Sequence, residues 1–335
     1  MQEFPAISEA RKMNATNLDC YVSVIAPLHN DADIVEAFVS ELSEALRATY
    51  VNYEIVLVDD GSNDETASRV GRLLDSHERV RSIRLSRCFG QEIAISAGLD
   101  SVIGDFVVVM LPDGDPPRLV PEMVERARRG AELVFGIRKS RRNDPLFLRV
   151  GASAFYWYCN RLLGLDLPKN STHFRVMSRR VVNALIQIKD RGRYLRTLSQ
   201  HVGYRSEGFP YELEERRSPP RRKGVLQAFD LAANIIVTNS RRPLRLVSSI
   251  ALLLAAANAA YVVYVAASRA PAIALQAGVG FAFVFLILAV LSEYLGKLVE
   301  ESKGRPLYHV MEEKQGSMPL LEERRRNVVT ESEEE

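Results

Sequence analysis

The chain has 335 residues, more than one typical domain core requires, so two structural parts are the first expectation. Apolar residues make up 47% of it, which excludes an intrinsically disordered chain. Lys plus Arg number 44 against 42 Asp plus Glu, a near balance that gives no reason to expect a nucleic-acid partner.

The charges are unevenly spread. Basic residues crowd Arg216–Lys223 and Arg241–Arg245, and Glu331–Glu335 is mostly acidic. Three cysteines, Cys20, Cys88 and Cys159, fit neither a zinc spacing nor a disulfide framework, so a reducing compartment is expected. Met1–Asp19 is polar and lacks the apolar centre of a signal peptide.

In chain order, Tyr21–Ala26 is a short apolar run rich in β-branched residues and predicts a strand, broken by Pro27 and Asn30. Ile34, Val35, Phe38, Val39, Leu42 and Leu46 recur at helical spacing. Tyr53–Val58 predicts a second strand, ended by Asp59-Asp60-Gly61-Ser62. Ser62 and Glu65 have the spacing of a capping box for the next helix. Val80–Leu85 predicts a third strand, with a helix over about Gln91 to Leu99. Phe106–Met110 and Leu133–Gly136 predict a fourth and a fifth. Apolar strands alternating with helices predict an α/β fold, a mostly parallel sheet with helices on both faces. Ligands of such sheets bind beyond the carboxyl ends of the strands, where the turns Asp59-Asp60 and Asp113-Gly114-Asp115 both fall.

The last third differs. Leu246–Ala267 and Ala272–Leu291 are apolar runs close to the ~20 residues that span a bilayer. Arg241, Arg242 and Arg245 precede the first; Lys297, Lys303 and Arg305 follow the second. That charge pattern predicts a two-helix transmembrane hairpin with both outer ends in the cytoplasm. Gln227–Asn239 has an apolar face suited to an interfacial helix, and a plain connecting helix fits it nearly as well. The expected parts are a flexible N-terminus (1–20), a catalytic α/β domain (21–224), an interfacial juxtamembrane helix (225–243), two transmembrane helices (244–296) and a cytoplasmic tail (297–335).

Two carboxylates on one turn suit a hard divalent cation, which takes carboxylate and phosphate oxygens together. Taken alone, Asp-Gly-Asp is also an ordinary turn. The wider context points one way. VSVIAPLHND (Val22–Asp31), EIVLVDDGSND (Glu54–Asp64), LSRCFGQEIAISAGLD (Leu85–Asp100), GDFVVVM (Gly104–Met110) and FRVMSRRVV (Phe174–Val182) resemble family 2 glycosyltransferases of the GT-A fold. LSEYLGKLVEESKGRPLYHV (Leu291–Val310) resembles the end of their polyprenyl-phosphate branch, which includes dolichol-phosphate mannose synthases and bactoprenol glucosyltransferases.

The resemblance implies an enzyme that moves a sugar from a UDP- or GDP-linked donor to undecaprenyl or dolichyl phosphate, at the cytoplasmic face of a membrane such as the bacterial inner membrane. It implies a base and ribose pocket of Pro27, His29, Asp31 and Asp60. It implies Mg²⁺ or Mn²⁺ and the diphosphate at Asp113 and Asp115, with Arg138 and Arg175 facing phosphates. Lys223 falls on a mobile basic loop over the site, and members of the branch suggest a homo-oligomer. Arg216–Lys223 suits anionic lipid headgroups as well. The sequence departs from the pattern at several points: His29 replaces a common aromatic, Pro219-Pro220 replaces the Gly-containing part of the basic loop, and two further departures lie at the chemistry. The acidic turn Leu111–Pro117 is one residue short, and His173 stands where bactoprenol-type members often carry Asp. His173 either positions a phosphate or donor hydroxyl or packs as a loop histidine. The shortened turn keeps open a second reading, a catalytically degenerate relative that binds nucleotide sugar or scaffolds a membrane complex.

Overall fold

The computed structural model describes residues 18–139, 170–188, 204–214, 216 and 306–316, with scattered helical positions between 253 and 298. The chain divides into two compact units. One gathers Met1–Arg149, Leu167–Arg222 and Leu307–Glu335; the other gathers Val150–Asp166 and Lys223–Pro306.

The first unit has the expected GT-A type α/β architecture. Its strands are β1 (Leu18–Leu28), β2 (Tyr50–Asp59), β3 (Val80–Leu85), β4 (Phe106–Val109), β5 (Leu133–Arg138), β6 (Ser171–Ser178), β7 (Ser206–Tyr211) and β8 (Val310–Gln315). Its helices are α1 (Val35–Arg47), α2 (Thr66–Ser76), α3 (Gln91–Ser101), α4 (Val120–Arg128) and α5 (Arg179–Gln187). The eight strands form one sheet in the order β7-β5-β6-β4-β1-β2-β3-β8. Strand β1 pairs in parallel with β2 and β4, β2 with β3, and β5 with β7, while β6 and β8 run against their neighbours.

Side-chain alternation along the strands builds two cores. Val22, Val24, Ala26, Ile55, Leu57 and Val108 face one layer with α1, α2 and α4; Ile25, Val56, Val58, Val107 and Val109 face the other with α3 and α5. Successive residues of a strand point to opposite faces, so strands covered on both sides read as unbroken apolar runs. Gly98 of α3 lies so close to Ile25 that a β-carbon would collide with its side chain, which lets the helix press onto β1.

The capping box does not form. Helix α2 starts at Thr66, whose N–H and hydroxyl both bond Asp64 Oδ1, at 2.9 and 2.5 Å. Asp64 is two residues before the first helical N–H, where an Asx turn reaches it directly. Ser62 Oγ instead accepts the Asn30 N–H at 2.9 Å.

Strand β8 comes from the segment that the sequence suggested was tail. It lies antiparallel on β3, with Arg81 opposite Gln315 and Ile83 opposite Glu313. Arg81 clasps it through Glu313 at 3.1 Å and reaches the fully buried Glu54 at 3.1 Å. Ser23 Oγ and the Ile103 N–H complete the Glu54 shell at 2.5 and 3.0 Å. Removing one partner of such a buried pair costs roughly 3–5 kcal/mol, because the other charge is stranded.

The two expected membrane spans and the interfacial helix lie almost wholly outside the described residues. Among the described residues no helix is long and apolar enough to cross a membrane.

Candidate active site

The strand order reverses at β1, which lies between β2 and β4. A crevice opens there beyond the strand ends. The first wall is made by the loops after β1 and β2, laced together by hydrogen bonds. Asp60 N–H bonds Leu28 O at 2.9 Å, Asn63 N–H bonds Asn30 Oδ1 at 2.8 Å, and Asp31 N–H bonds Thr66 Oγ1 at 2.8 Å. Asn30 takes a left-handed conformation at φ 52, which asparagine tolerates better than most residues. Asp31 is buried and accepts the His29 N–H at 2.7 Å, while His29 Nδ1 stands 2.8 Å from Asp60 O. Pro27 is buried within β1, opposite Val58 of β2.

The expected pocket residues Pro27, His29, Asp31 and Asp60 are thus brought together. Asp60 is almost fully buried, and its carboxylate holds the loop before α3. It takes the N–H of Phe89 at 2.7 Å, the N–H of Gly90 at 2.8 Å and the Cys88 thiol at 3.3 Å. Burial and the neighbouring carboxylate raise the Cys88 pKa, so the thiol stays protonated and donates. A carboxylate offers about four acceptor directions, so Asp60 keeps room for one further donor. Gly61 (φ 60) makes the turn beneath, where a β-carbon would strike the Arg87 backbone.

The second wall is the acidic turn after β4, where the two expected metal ligands, Asp113 and Asp115, are placed differently. Asp113 is exposed. Asp115 is 2% exposed and turned inward, accepting the Leu111 N–H at 2.7 Å with Tyr211 Oη at 2.6 Å. Burial pushes its pKa up to about 7, with Tyr211 and the Leu111 N–H pulling the other way. Tyr211 itself is raised by burial and by the Asp115 carboxylate. A buried carboxylate occupied by two donors is a structural brace for a tight turn. Arg216 grips the same turn from outside, donating to Pro112 O at 3.2 Å and Asp115 O at 2.9 Å and pairing with Glu41 of α1 at 2.7 Å. The first residue of the basic stretch therefore binds protein, whereas Lys223 lies outside the described residues.

A divalent cation implied by the family fits this turn in a reduced form. Asp113 supplies one exposed carboxylate, and hard cations such as Mg²⁺ are often held by one carboxylate with substrate phosphates. The grouping of His29, Asp60 and Cys88, whose ligand atoms lie within 4.8 Å of one another, suits a metal less well, since backbone N–H groups already occupy both Asp60 oxygens.

The far side is formed by β5 and β6. Arg138 ends β5, half-exposed, with its N–H on Asn170 O at 3.0 Å. Arg175 was expected to face phosphates but is 1% exposed. It points into the layer beneath the sheet and donates to Thr172 O at 2.8 Å and His173 O at 3.3 Å. His173 Nε2 meets Glu92 Oε1 of α3 at 2.7 Å. Glu92 and Tyr211 are site residues that the sequence did not single out. Glu92 reads as an acidic residue suited to a helix N-terminus and Tyr211 as one more strand aromatic, so neither carried a signal.

The family described as Glycosyl transferase family 2 matches residues 23–186. A glycosyltransferase of Synechocystis sp. whose activity is uncharacterized is 33% identical over 299 residues, covering 86% of this chain and 94% of that protein. A bactoprenol glucosyl transferase of Shigella phage SfV is 30% identical over 304 residues, covering 88% of this chain and 99% of its own length. An undecaprenyl-phosphate 4-deoxy-4-formamido-L-arabinose transferase of Edwardsiella ictaluri is 27% identical over 312 residues, with 89% and 96% covered. With the crevice at the β1–β4 switch point and this likeness running nearly end to end, the chain belongs to glycosyl transferase family 2.

Proposed function

We propose that this protein transfers a sugar from a nucleotide diphosphate sugar to a polyprenyl phosphate at a membrane surface. The observation that carries the reading is the full-length likeness to a bactoprenol glucosyl transferase, 99% of which is covered, including the apolar last third. The second unit supports a membrane setting. Its described helical positions expose large apolar side chains, with Leu253 at 71% and Val263 at 70%. Monomeric soluble proteins seldom leave so much apolar surface exposed. Strand β8 returns to the sheet that β7 belongs to, so any crossing of a bilayer between residues 212 and 309 occurs an even number of times, in keeping with a hairpin. The catalytic unit then faces the cytoplasm by the positive-inside pattern of the flanking Arg and Lys residues.

In this reading the acceptor phosphate oxygen attacks the anomeric carbon as the bond to the nucleoside diphosphate breaks, and the electron pair leaves with the diphosphate. Pro27, His29, Asp31 and Asp60 bind the nucleoside, Asp60 through its remaining acceptor direction. Arg138 meets phosphate. Asp113 would hold Mg²⁺ or Mn²⁺, which neutralises charge on the leaving diphosphate when bound. Lys223 follows the same charge from the basic loop, and the protein works as a homo-oligomer. The single exposed carboxylate of the shortened turn favours one other reading, a nucleotide-sugar-binding protein without transfer.

The test is transfer from radiolabelled UDP- and GDP-sugars to undecaprenyl phosphate in detergent, with Mn²⁺, Mg²⁺ or EDTA. A lipid-soluble product that falls on the order of a hundredfold in Asp113→Asn supports the enzyme. Nucleotide binding without product from any donor supports the binding protein.

A further inference from the structure

The pairing of His173 with Glu92 is unexplained by the donor site. Strand β6 runs against β4 with Arg175 opposite Val109, so His173 stands two residues beyond the end of that pairing, level with the start of the acidic turn. Met177, on the same side of β6 as His173, packs in the layer with α3 and α5, and the His173 side chain meets Glu92 in the first turn of α3. The contact is 2.7 Å, with side-chain exposures of 11% and 19%. Both ends of the imidazole's anchorage are fixed. Glu92 holds Nε2, and the buried Arg175 guanidinium grips the carbonyls of Thr172 and His173 at 2.8 and 3.3 Å. A packed histidine needs one partner. This one is braced through its ring and its backbone by two charged residues, beside a crevice.

Across the sheet the order β2, β1, β4, β6 runs from Asp60, through His29 and Asp113, to His173. With the nucleoside at the Asp60 end and the diphosphate at Asp113, His173 falls on the side left for the sugar and acceptor. We propose that His173, held by Glu92, binds the phosphate monoester of the acceptor, and that Glu92 is its positioning residue. This rests on the reading of the protein as a polyprenyl-phosphate glycosyltransferase. A carboxylate on Nε2 fixes the ring's orientation, so that the imidazole is held in place for a phosphate. No proton needs to move: the phosphate oxygen is already anionic when its new bond to the anomeric carbon forms and the bond to the nucleoside diphosphate breaks.

The experiment uses the full chain in detergent, varying undecaprenyl phosphate and sugar donor separately. His173→Gln and Glu92→Gln are expected to raise the acceptor KM about tenfold, as loss of a charge-assisted contact does, with the donor KM within about twofold of wild type. Because Glu92 acts through His173, the double variant is expected to match His173→Gln alone. A rise in donor KM instead, an additive double variant, or loss of thermal stability with both KM values unchanged overturns the inference. Absence of transfer by the wild type overturns the underlying reading and the inference with it.

Discussion

The two acidic turns of the crevice look alike in sequence and are used differently. After β2, Asp59 and Asp60 both point inward. Asp59 takes the Ser62 N–H at 2.9 Å and pairs with Arg84 at 3.3 Å, and Asp60 takes the loop before α3. After β4, Asp115 points inward and Asp113 points out. Three of these four carboxylates therefore brace loops, and one faces solvent. The braces differ in kind. Those after β2 are met by a guanidinium, a thiol and several N–H groups, whereas Asp115 has one N–H and a phenol, with Arg216 bound to its carbonyl. Burial is what lifts Asp115 to about 7, against the lowering influence of Tyr211, the Leu111 N–H and Arg216.

The largest consequence is a pH dependence confined to the β4 side. The folded-state pKa of Asp115 is raised from 3.8 to about 7, so the folded state binds the proton more tightly than the unfolded chain. Its contribution is fully present below pH ~4 and is lost as pH rises to ~7, by up to about 4 kcal/mol for a shift of this size. Protection factors of the β4 and β7 amides should fall between those pH values in the wild type, and Asp115→Asn should flatten the fall. An unchanged slope in that variant would remove the contrast. Next comes Asp60→Ala, which strands the N–H groups of Phe89 and Gly90. It should cost about 3 kcal/mol in the exchange stability of β2 and α3, as lost bonds to a charged group do.

Sequence periodicity was enough for the strands that build the crevice. The runs Tyr21–Ala26, Tyr53–Val58, Val80–Leu85, Phe106–Met110 and Leu133–Gly136 all fall on strands, because burial on both faces leaves an unbroken apolar signature. Strand β8 left no such mark. VMEEKQ is exposed throughout and is held by edge pairing and Arg81, which pattern reading does not register. The site was legible as a place more than as a set of roles. Both aspartate turns reach the crevice as expected, but whether a carboxylate faces a ligand or the protein depends on Tyr211, Leu111 and Phe89, which are distant in sequence or contribute only backbone. The placement of Arg175 was hidden for the same reason. Alternation along β6 places it on the α3 and α5 side, together with Met177.

Two smaller effects complete the contrast within the β4 turn. Tyr211→Phe keeps the edge-on ring contact with Phe174 at 5.3 Å and removes only the hydroxyl beside Asp115. It should cost about 1–2 kcal/mol and push the Asp115 pKa higher still, since that hydroxyl is among the influences lowering it. Asp113→Ala should cost less than about 0.5 kcal/mol, because an exposed side chain on a turn held by its backbone has little to lose. The turn's own fastening runs through atoms that Asp113→Ala leaves in place: the Arg216 N–H bonds Asp113 O at 3.1 Å, and the Glu214 N–H bonds Gly114 O at 2.9 Å. A variant that keeps wild-type exchange in β4 and β7 yet loses metal-stimulated nucleotide binding, measured by calorimetry, would assign Asp113 to the ligand and Asp115 to the fold. Equal destabilisation by Asp113→Ala and Asp115→Asn would mean that the two carboxylates brace the turn together, leaving the donor diphosphate to the arginines and the basic loop.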